Sequence, residues 1–458
     1  MPNQCHSQVF RLARTFSIFS GLLFSWLSGA NLAVAQIDGP NPSSALALTL
    51  RDCTRLALAQ SPRLKSVAQD QIVSREAVGE VKGAYYPTLG VRGGASRWQS
   101  HAFLPSGLSN PDISSIIGPT DDWSAGGFAR YMLYDSGVRR AALESAKARQ
   151  SAMVQEGEST RLDVIFDVHQ TFYQLAVALA LRSVAGNNLT NVEAHLGVAQ
   201  NRIAAGDTTP ADVLRAQVEV DNAKAELIRT ESLIRIAKGD LNTVMGLSAE
   251  TPFEIDVSDA AQAADVEMSF SALLEKAVKS RPEIKAAQSA VTIAQQQVQV
   301  AKGAFGPKVY ADGSYGWRDD SASLGDEVWS AGITVEVAAF EGFSNQHKLA
   351  RTRAELTQAE TALEQVHLAI HKDVWAAYAR VREAQELVLA TRTQVRDAEE
   401  NMRLMAARYK AGAVTVTDLL DAQTALTTAE ARQVQSHWGC QLARSALLRA
   451  TGSWIVEK

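Results

Sequence analysis

The sequence predicts a mainly α-helical chain with a small β part, built as an internal duplication. Three observations predict it. First, Ser61-Pro62 and Lys82-Gly83-Ala84-Tyr85-Tyr86-Pro87 return as Arg281-Pro282 and Lys302-Gly303-Ala304-Phe305-Gly306-Pro307, an offset of 220 from Pro62 to Pro282 and from Pro87 to Pro307. Second, IAAGDTTPADVLRAQVEV from Ile203 is answered by YKAGAVTVTDLLDAQTAL from Tyr409. Gly206, Asp212, Leu214 and Gln217 there match Gly412, Asp418, Leu420 and Gln423, at an offset of 206. Third, the stretches from about Val138 to Ala205 and from about Asn345 to Ala411 hold no proline. As continuous helices of roughly 65 residues they would each be rods of roughly 100 Å.

The N-terminus reads as a secretory signal. Arg11 and Arg14 form the charged region, Thr15 to Leu27 the apolar one, and Ala33-Val34-Ala35 the cleavage pattern, with Gln36 the first mature residue. A retained anchor helix is the alternative, and the apolar run is short for it. No later stretch has eighteen or more consecutive apolar residues, so no helix is expected to span a membrane. The formal charge of −5 becomes −7 once Arg11 and Arg14 are removed, because residues 1–35 contain no acid. Such a balance speaks against nucleic acid as a partner, which needs a clustered positive surface. Beyond Cys5 only Cys53 and Cys440 remain. They cannot form a disulfide framework; one bridge or two isolated buried thiols are the readings open to them.

Each half then follows one order. A short helix, Thr49 to Gln60 or Ser269 to Ser280, leads to a second that starts at Pro62 or Pro282. The second helix stops before Pro87 or Pro307, and two strands follow. The offset changes from 220 to 206 because of an insertion between Arg97 and Asp122, HAFLPSGLSNPDISSIIGPT, which reads as a surface loop. After each long helix a final one returns, Pro210 to Val244 and Thr417 to Ala450. In the first, Val213, Val220, Leu227, Ile234 and Leu241 repeat every seventh residue, with Ala216, Ala223, Thr230, Ala237 and Val244 three places on. That pattern predicts left-handed coiled-coil packing.

The strands alternate. Val309, Ala311, Tyr315 and Trp317 interleave with Lys308, Asp312, Ser314 and Arg318; Trp329, Ala331, Ile333, Val335 and Val337 interleave with Ser330, Thr334 and Glu336. One face is apolar and the other polar. The first half is fainter: Leu89, Val91 and Ala95, then Trp123, Ala125, Tyr131 and Leu133. Strands of roughly 10–12 residues suit a tilted membrane strand, with Trp317, Trp329 and Trp123 as an aromatic girdle. A sheet lying on a helix layer is the soluble alternative. Four membrane strands cannot close, since their edges would leave unpaired amides in lipid. Three copies would supply twelve strands and set their long helices side by side as a trimeric α-barrel.

With its AYYP and AFGP helix ends, LYDSG at 133–137 and YKAGAVTVTDLLDAQ, the mature chain resembles the outer membrane efflux protein (TolC) family. The resemblance implies a homotrimer with a twelve-stranded barrel in the lipid of a Gram-negative outer membrane and a helical tunnel across the periplasm. It implies an exit channel of a tripartite efflux pump or a type I secretion system. Its partners would be a periplasmic adaptor and an inner-membrane transporter of RND or ABC type. The two glycine-containing turns become hairpin tips that meet the adaptor, with Gly206, Gly412, Arg408 and Val414 at the contact. Asp418 and Asp421 match acids that ring the periplasmic gate, Asp212 an acid that ties the closed tips, and Tyr409 a tip tyrosine that bonds across helices. The reading from residues alone is helix capping for both Asp212 and Asp418. Two departures stand out: Val414 replaces a basic latch residue, with Arg408 or Lys410 as substitutes, and AFEGF at 339–343 lacks the glycine of position 137.

On this reading the segments are a signal peptide (1–35), first-half helices (36–86), a first β-hairpin (87–135) and a first long helical hairpin (136–252). A linker with the second-half helices (253–306), a second β-hairpin (307–340), a second helical hairpin (341–452) and a tail (453–458) follow. No catalytic constellation, phosphate loop or nucleophile elbow occurs, and no cofactor is expected. His367 and His371 are four apart, yet no glutamate follows His367. A soluble periplasmic coiled-coil adaptor or scaffold is the competing function.

Overall fold

The computed structural model describes residues 47–101, 116–206, 208–258, 269–322 and 325–454. The expected signal peptide, most of the inserted loop, Asp207 and the last four residues lie outside them. The first half runs β1 (Ala47–Leu48), α1 (Leu50–Gln60), α2 (Pro62–Gly83), β2 (Thr88–His101), β3 (Ile116–Tyr134), α3 (Val138–Ala204) and α4 (Pro210–Met245). The second runs β4 (Glu254–Ile255), α5 (Phe270–Ser280), α6 (Pro282–Gly303), β5 (Lys308–Asp319), β6 (Asp326–Glu336), α7 (Ser344–Lys410) and α8 (Val416–Thr451).

Local chemistry sets these boundaries. Thr49 and Asp52 form a capping box at the start of α1. Pro62 and Pro282 occupy first helical turns, where no amide hydrogen is needed. The long helices α3 and α7 have 67 residues each and the returning helices 36 each. A returning helix therefore covers only half of its partner. The rest of the apolar stripe is covered by α2 and α6, which pack on α3, and by α6 on α7. By length and composition alone one stretch is apolar enough to cross a membrane, and it lies in α3. Its residues Val164, Val168, Phe172 and Leu175 are instead buried in a core completed by Ala57 of α1, Leu241 and Met245 of α4, and Trp438 of α8. In α4 the small heptad row is buried at Ala216, Ala223, Thr230 and Ala237, and Val220 and Leu241 of the other row are buried with it. Cys53 and Cys440 are both buried, and no disulfide joins them.

An ionic network locks the halves together between α3, α6, α7 and α8. Arg281 donates to both carboxylate oxygens of Glu283, at 2.9 and 3.1 Å, and to the Ala450 carbonyl. Arg449 donates to Glu283 at 2.9 Å and to Asp163 at 2.7 Å. Arg281 also lies 3.8 Å from Asp373.

The structure corrects three expectations. The two-residue parallel pair β1–β4 carries no alternation and escapes sequence reading. The inserted loop is shorter than expected, because β2 and β3 run 14 and 19 residues and pair as far as His101 with Ile116. Most of its Gly- and Pro-containing end sits in the ladder, where the register shifts between Trp98 and Ser100. Thirdly, the two strand-to-helix junctions share one backbone. Ser136 and Gly137 have φ of 55° and 87°, and Gly342 and Phe343 have 61° and 64°. The glycine has moved to the first of two left-handed positions, and Phe343 adopts the second, unfavourable for a bulky side chain.

Candidate functional site

The functional geometry lies at the two ends of the long helices α3 and α7. At one end β2, β3, β5 and β6 form a four-stranded antiparallel sheet in the order β2-β3-β5-β6. Its register sorts the side chains cleanly. Val91 and Gly127 pair, as do Gly127 and Tyr315, and Tyr315 and Trp329, so these stand on one face. Leu89, Ala95, Ala129, Ala311, Ile333 and Val335 join them. The opposite face carries Arg92, Ser96, Asp122, Arg130, Asp312, Ser314, Arg318, Ser330 and Thr334. There Arg318 forks onto Asp122 at 2.7 and 2.6 Å, Arg130 pairs with Asp312, and Ser314 bonds Ser330 at 2.8 Å.

The apolar face is bare: Val91 is 91 % exposed, Ile333 70 % and Trp329 72 %. Among the described residues no helix packs broadly on either face, so the soluble sheet-on-helix alternative does not hold. Trp123, Trp317 and Trp329 gather near one end of the sheet, in adjacent rows of the register. Tyr131, Tyr134 and Phe340 lie toward the other. The eight residue steps from Trp123 to Tyr131 span about 26 Å along the strand, the scale of the apolar band between aromatic girdles in outer-membrane barrels.

At the other end are the two helical tips. Gly206 and Gly412 take φ of 81° and 74°, the left-handed conformation that ends α3 and α7. After Gly412 the Ala413 amide donates back to the Arg408 carbonyl at 2.9 Å. Both returning helices begin with the same device. Thr209 with Asp212, and Thr415 with Asp418, form capping boxes. The hydrogen bonds from Thr208 and Thr209 hold the Asp212 carboxyl below the usual carboxylate range, and those from Thr415 do the same for Asp418. Asp418 and Asp421 are exposed and stand opposite the buried row Val416, Leu419, Ala422 and Leu426. Asp421 has no hydrogen bond or ion pair among the described residues.

Tyr409 is buried, and its hydroxyl has no hydrogen-bond partner among the described residues. The tie across the tips runs through a residue that sequence reading missed. Arg202 of α3 donates to the Tyr409 carbonyl at 3.0 Å, and its guanidinium lies 4.8 Å from the centre of the tyrosine ring. Arg202 is the repeat counterpart of Arg408, which was singled out; the offset of 206 could have found it. Arg408 itself is exposed. Arg215 adds a second tie, 3.4 Å to the Thr417 hydroxyl. Val414 is half-buried with Tyr409, Val416, Leu419 and Val198 of α3. It plugs the tip rather than standing out from it.

Arg202→Ala should cost about 1–2 kcal/mol of local tip stability, from a charge-assisted hydrogen bond and a cation–π contact. Faster hydrogen exchange confined to residues around 198–206 and 405–415 would register it. Unchanged exchange there would remove Arg202 from the tie.

The sequence profile described as "Outer membrane efflux protein" matches residues 54–247 and 273–453, most of the chain. The chain belongs to the outer membrane efflux protein family. It is similar to Protein CyaE of Bordetella pertussis, 28% identical over 413 residues that cover 88% of this chain and 84% of the relative. It is also similar to outer membrane efflux protein BepC of Brucella suis, 25% identical, covering 78% and 79%. Among solved structures, the outer membrane protein VceC of Vibrio cholerae superposes with a TM-score of 0.74 at 20% identity, covering 88% of this chain and 96% of that one. The family is one of outer membrane efflux proteins, and this member is an outer-membrane exit channel. It is not a soluble periplasmic adaptor.

Proposed function

We propose that three copies of the chain close one twelve-stranded barrel and form a continuous passive duct. The duct receives cargo at its tips from a periplasmic adaptor and an inner-membrane transporter of RND or ABC type, in tripartite efflux or type I secretion. One observation carries this reading. The sheet has an apolar and a polar face, and among the described residues neither is covered and both outer strands, β2 and β6, have an unpaired edge. In lipid such edges must be paired, and identical copies can pair them. Native mass determination after detergent extraction of outer membranes tests it. A trimer is expected; a water-soluble monomer would end the proposal.

At the far end, Gly206, Gly412, Arg408 and Val414 mark the adaptor-facing tips. Asp418 and Asp421, with Asp212 and Tyr409 behind them, form the gate: three copies of each exposed acid would surround one axis and favour cations. Asp418 also caps α8, so its loss costs the helix about 1 kcal/mol as well. Asp421 has no such second duty and gives the cleaner result. Asp421→Asn alone should weaken cation selectivity in planar bilayers, and Asp418→Ala with Asp421→Ala should raise conductance further. Channels indistinguishable from wild type in both assays would take the acids out of the pore.

A further inference from the structure

The duplication predicts more than a trimer: it predicts which residues meet between copies. We infer that β6 of one copy pairs with β2 of the next in a single register, with Glu336 beside Arg92 of the next copy. The inference rests on the trimeric reading above.

The two β-hairpins share one internal register. Thr88 pairs with Arg130 and Arg92 with Gly126 in the first; Lys308 pairs with Glu336 and Asp312 with Gly332 in the second. Each second-hairpin residue stands 220 beyond its counterpart in β2, or 206 beyond its counterpart in β3. The halves are therefore interchangeable units in the sheet. The seam between them is visible inside the chain, where β3 meets β5 and Arg130 faces Asp312. Around a closed ring, the equivalent seam joins β6 to β2 of the next copy. Adding 206 to the β3 residue and subtracting 220 from the β5 residue converts each pair. Arg130–Asp312 becomes Glu336–Arg92. Ala129–Gly313 becomes Val335–Gly93, and Tyr131–Ala311 becomes Val337–Val91.

Three independent features agree. The converted ion pair keeps opposite charges although both partners have changed sign. Glu336 already neighbours Lys308 across the β5–β6 pair, and Arg92 lies over the Phe128 ring, with no ion pair of its own among the described residues. Second, the faces match: Val91, Gly93 and Val335 all fall on the apolar face, whereas a slip of one residue would set apolar against polar. Third, the junction below the sheet is complementary. Inside the chain a Cβ on Gly306 would collide with the Ser136 hydroxyl, so that seam needs glycine beside serine. Between copies the converted pair is Tyr86 and Gly342. Tyr86 is 72 % exposed, and a Cβ on Gly342 would meet nothing within 4 Å. The bulk has changed sides.

The test combines Arg92→Cys with Glu336→Cys in the full chain, extracted in detergent and oxidised. Most of the protein should run as covalent dimers and trimers on a non-reducing gel. The pair Arg92→Cys with Thr334→Cys, shifted by two residues on the same face, should give only traces. A trimer by native mass in which the shifted pair links better, or neither links, overturns the register and leaves the trimer standing. A wild-type monomer overturns both. Should the cysteine variants not assemble, charge reversal decides. Arg92→Glu should lower the temperature at which the trimer dissociates, and Arg92→Glu with Glu336→Arg should restore it. A double variant no better than the single one would overturn the pairing.

Discussion

Replacing Phe172 by alanine should destabilise the folded chain by about 3–5 kcal/mol. The phenylalanine is fully buried in α3 and meets Tyr173 edge-on at 6.0 Å. It lies where α1, α4 and α8 converge on α3. Helices held at several points around one side chain cannot all move inward, so much of the cavity would persist. The lost stabilisation is the transfer free energy of the ring plus the cavity term. Phe172→Leu fills most of the space and should cost clearly less. Thermal unfolding of the helical signal in detergent measures both. A midpoint for Phe172→Ala equal to that of wild type would contradict the packing of this core.

Glu283→Ala should be the next most damaging change, at about 2–3 kcal/mol. It removes the carboxylate shared by Arg281 and Arg449 and leaves two largely buried guanidinium groups short of a partner. Arg449 keeps Asp163 and Arg281 keeps the Ala450 carbonyl, which limits the loss. The same site gives a pH dependence. Burial raises the Glu283 carboxyl, but its own backbone amide, Arg281 and Arg449 outweigh this and hold it below the ordinary range. A depressed carboxyl contributes stability that is complete above its unfolded value and lost as pH falls through the folded one. His169 acts in the same direction from a higher pH. Burial lowers it from 6.5 to about 4, so the folded state favours neutral imidazole. Stability from His169 is complete above about pH 6.5 and declines toward pH 4. The wild-type midpoint should therefore fall on acidification from about pH 6.5 downward. In Glu283→Gln the lower limb should be shallower. An equal slope in both proteins would show that Glu283 does not titrate with folding.

The duplication explains why so much of the helical plan was legible. The proline-free runs, Pro62 and Pro282, and the glycines at 206 and 412 act through covalent geometry and local hydrogen bonding. Those signals survive without tertiary context, and the helix ends fall within a residue or two of the expected positions. Alternation in β5 and β6 was equally plain, because one face of each strand meets a different medium. In β2 and β3 glycines blur it: Gly93, Gly94, Gly126 and Gly127 have no side chain to report a face. At the tips the acids were visible as residues, but their engagement was not. Whether Asp418 caps a helix or faces an axis depends on where Thr415 points, and Asp421 on what surrounds it.

Spacing along one chain was enough to read the repeated halves, the two-faced strands, the family and the order of every element except β1 and β4. Folding in three dimensions settled the rest: Arg202 ties the tips, Val414 plugs one, Phe343 shares the backbone of Gly137, and β3 meets β5 in one register. Arg202 lies 207 positions from Tyr409, Val414 lies 216 from Val198, and the partners in β3 and β5 lie 175 to 196 apart. No local pattern encodes such a contact, because packing selects it from every arrangement that the periodicity allows.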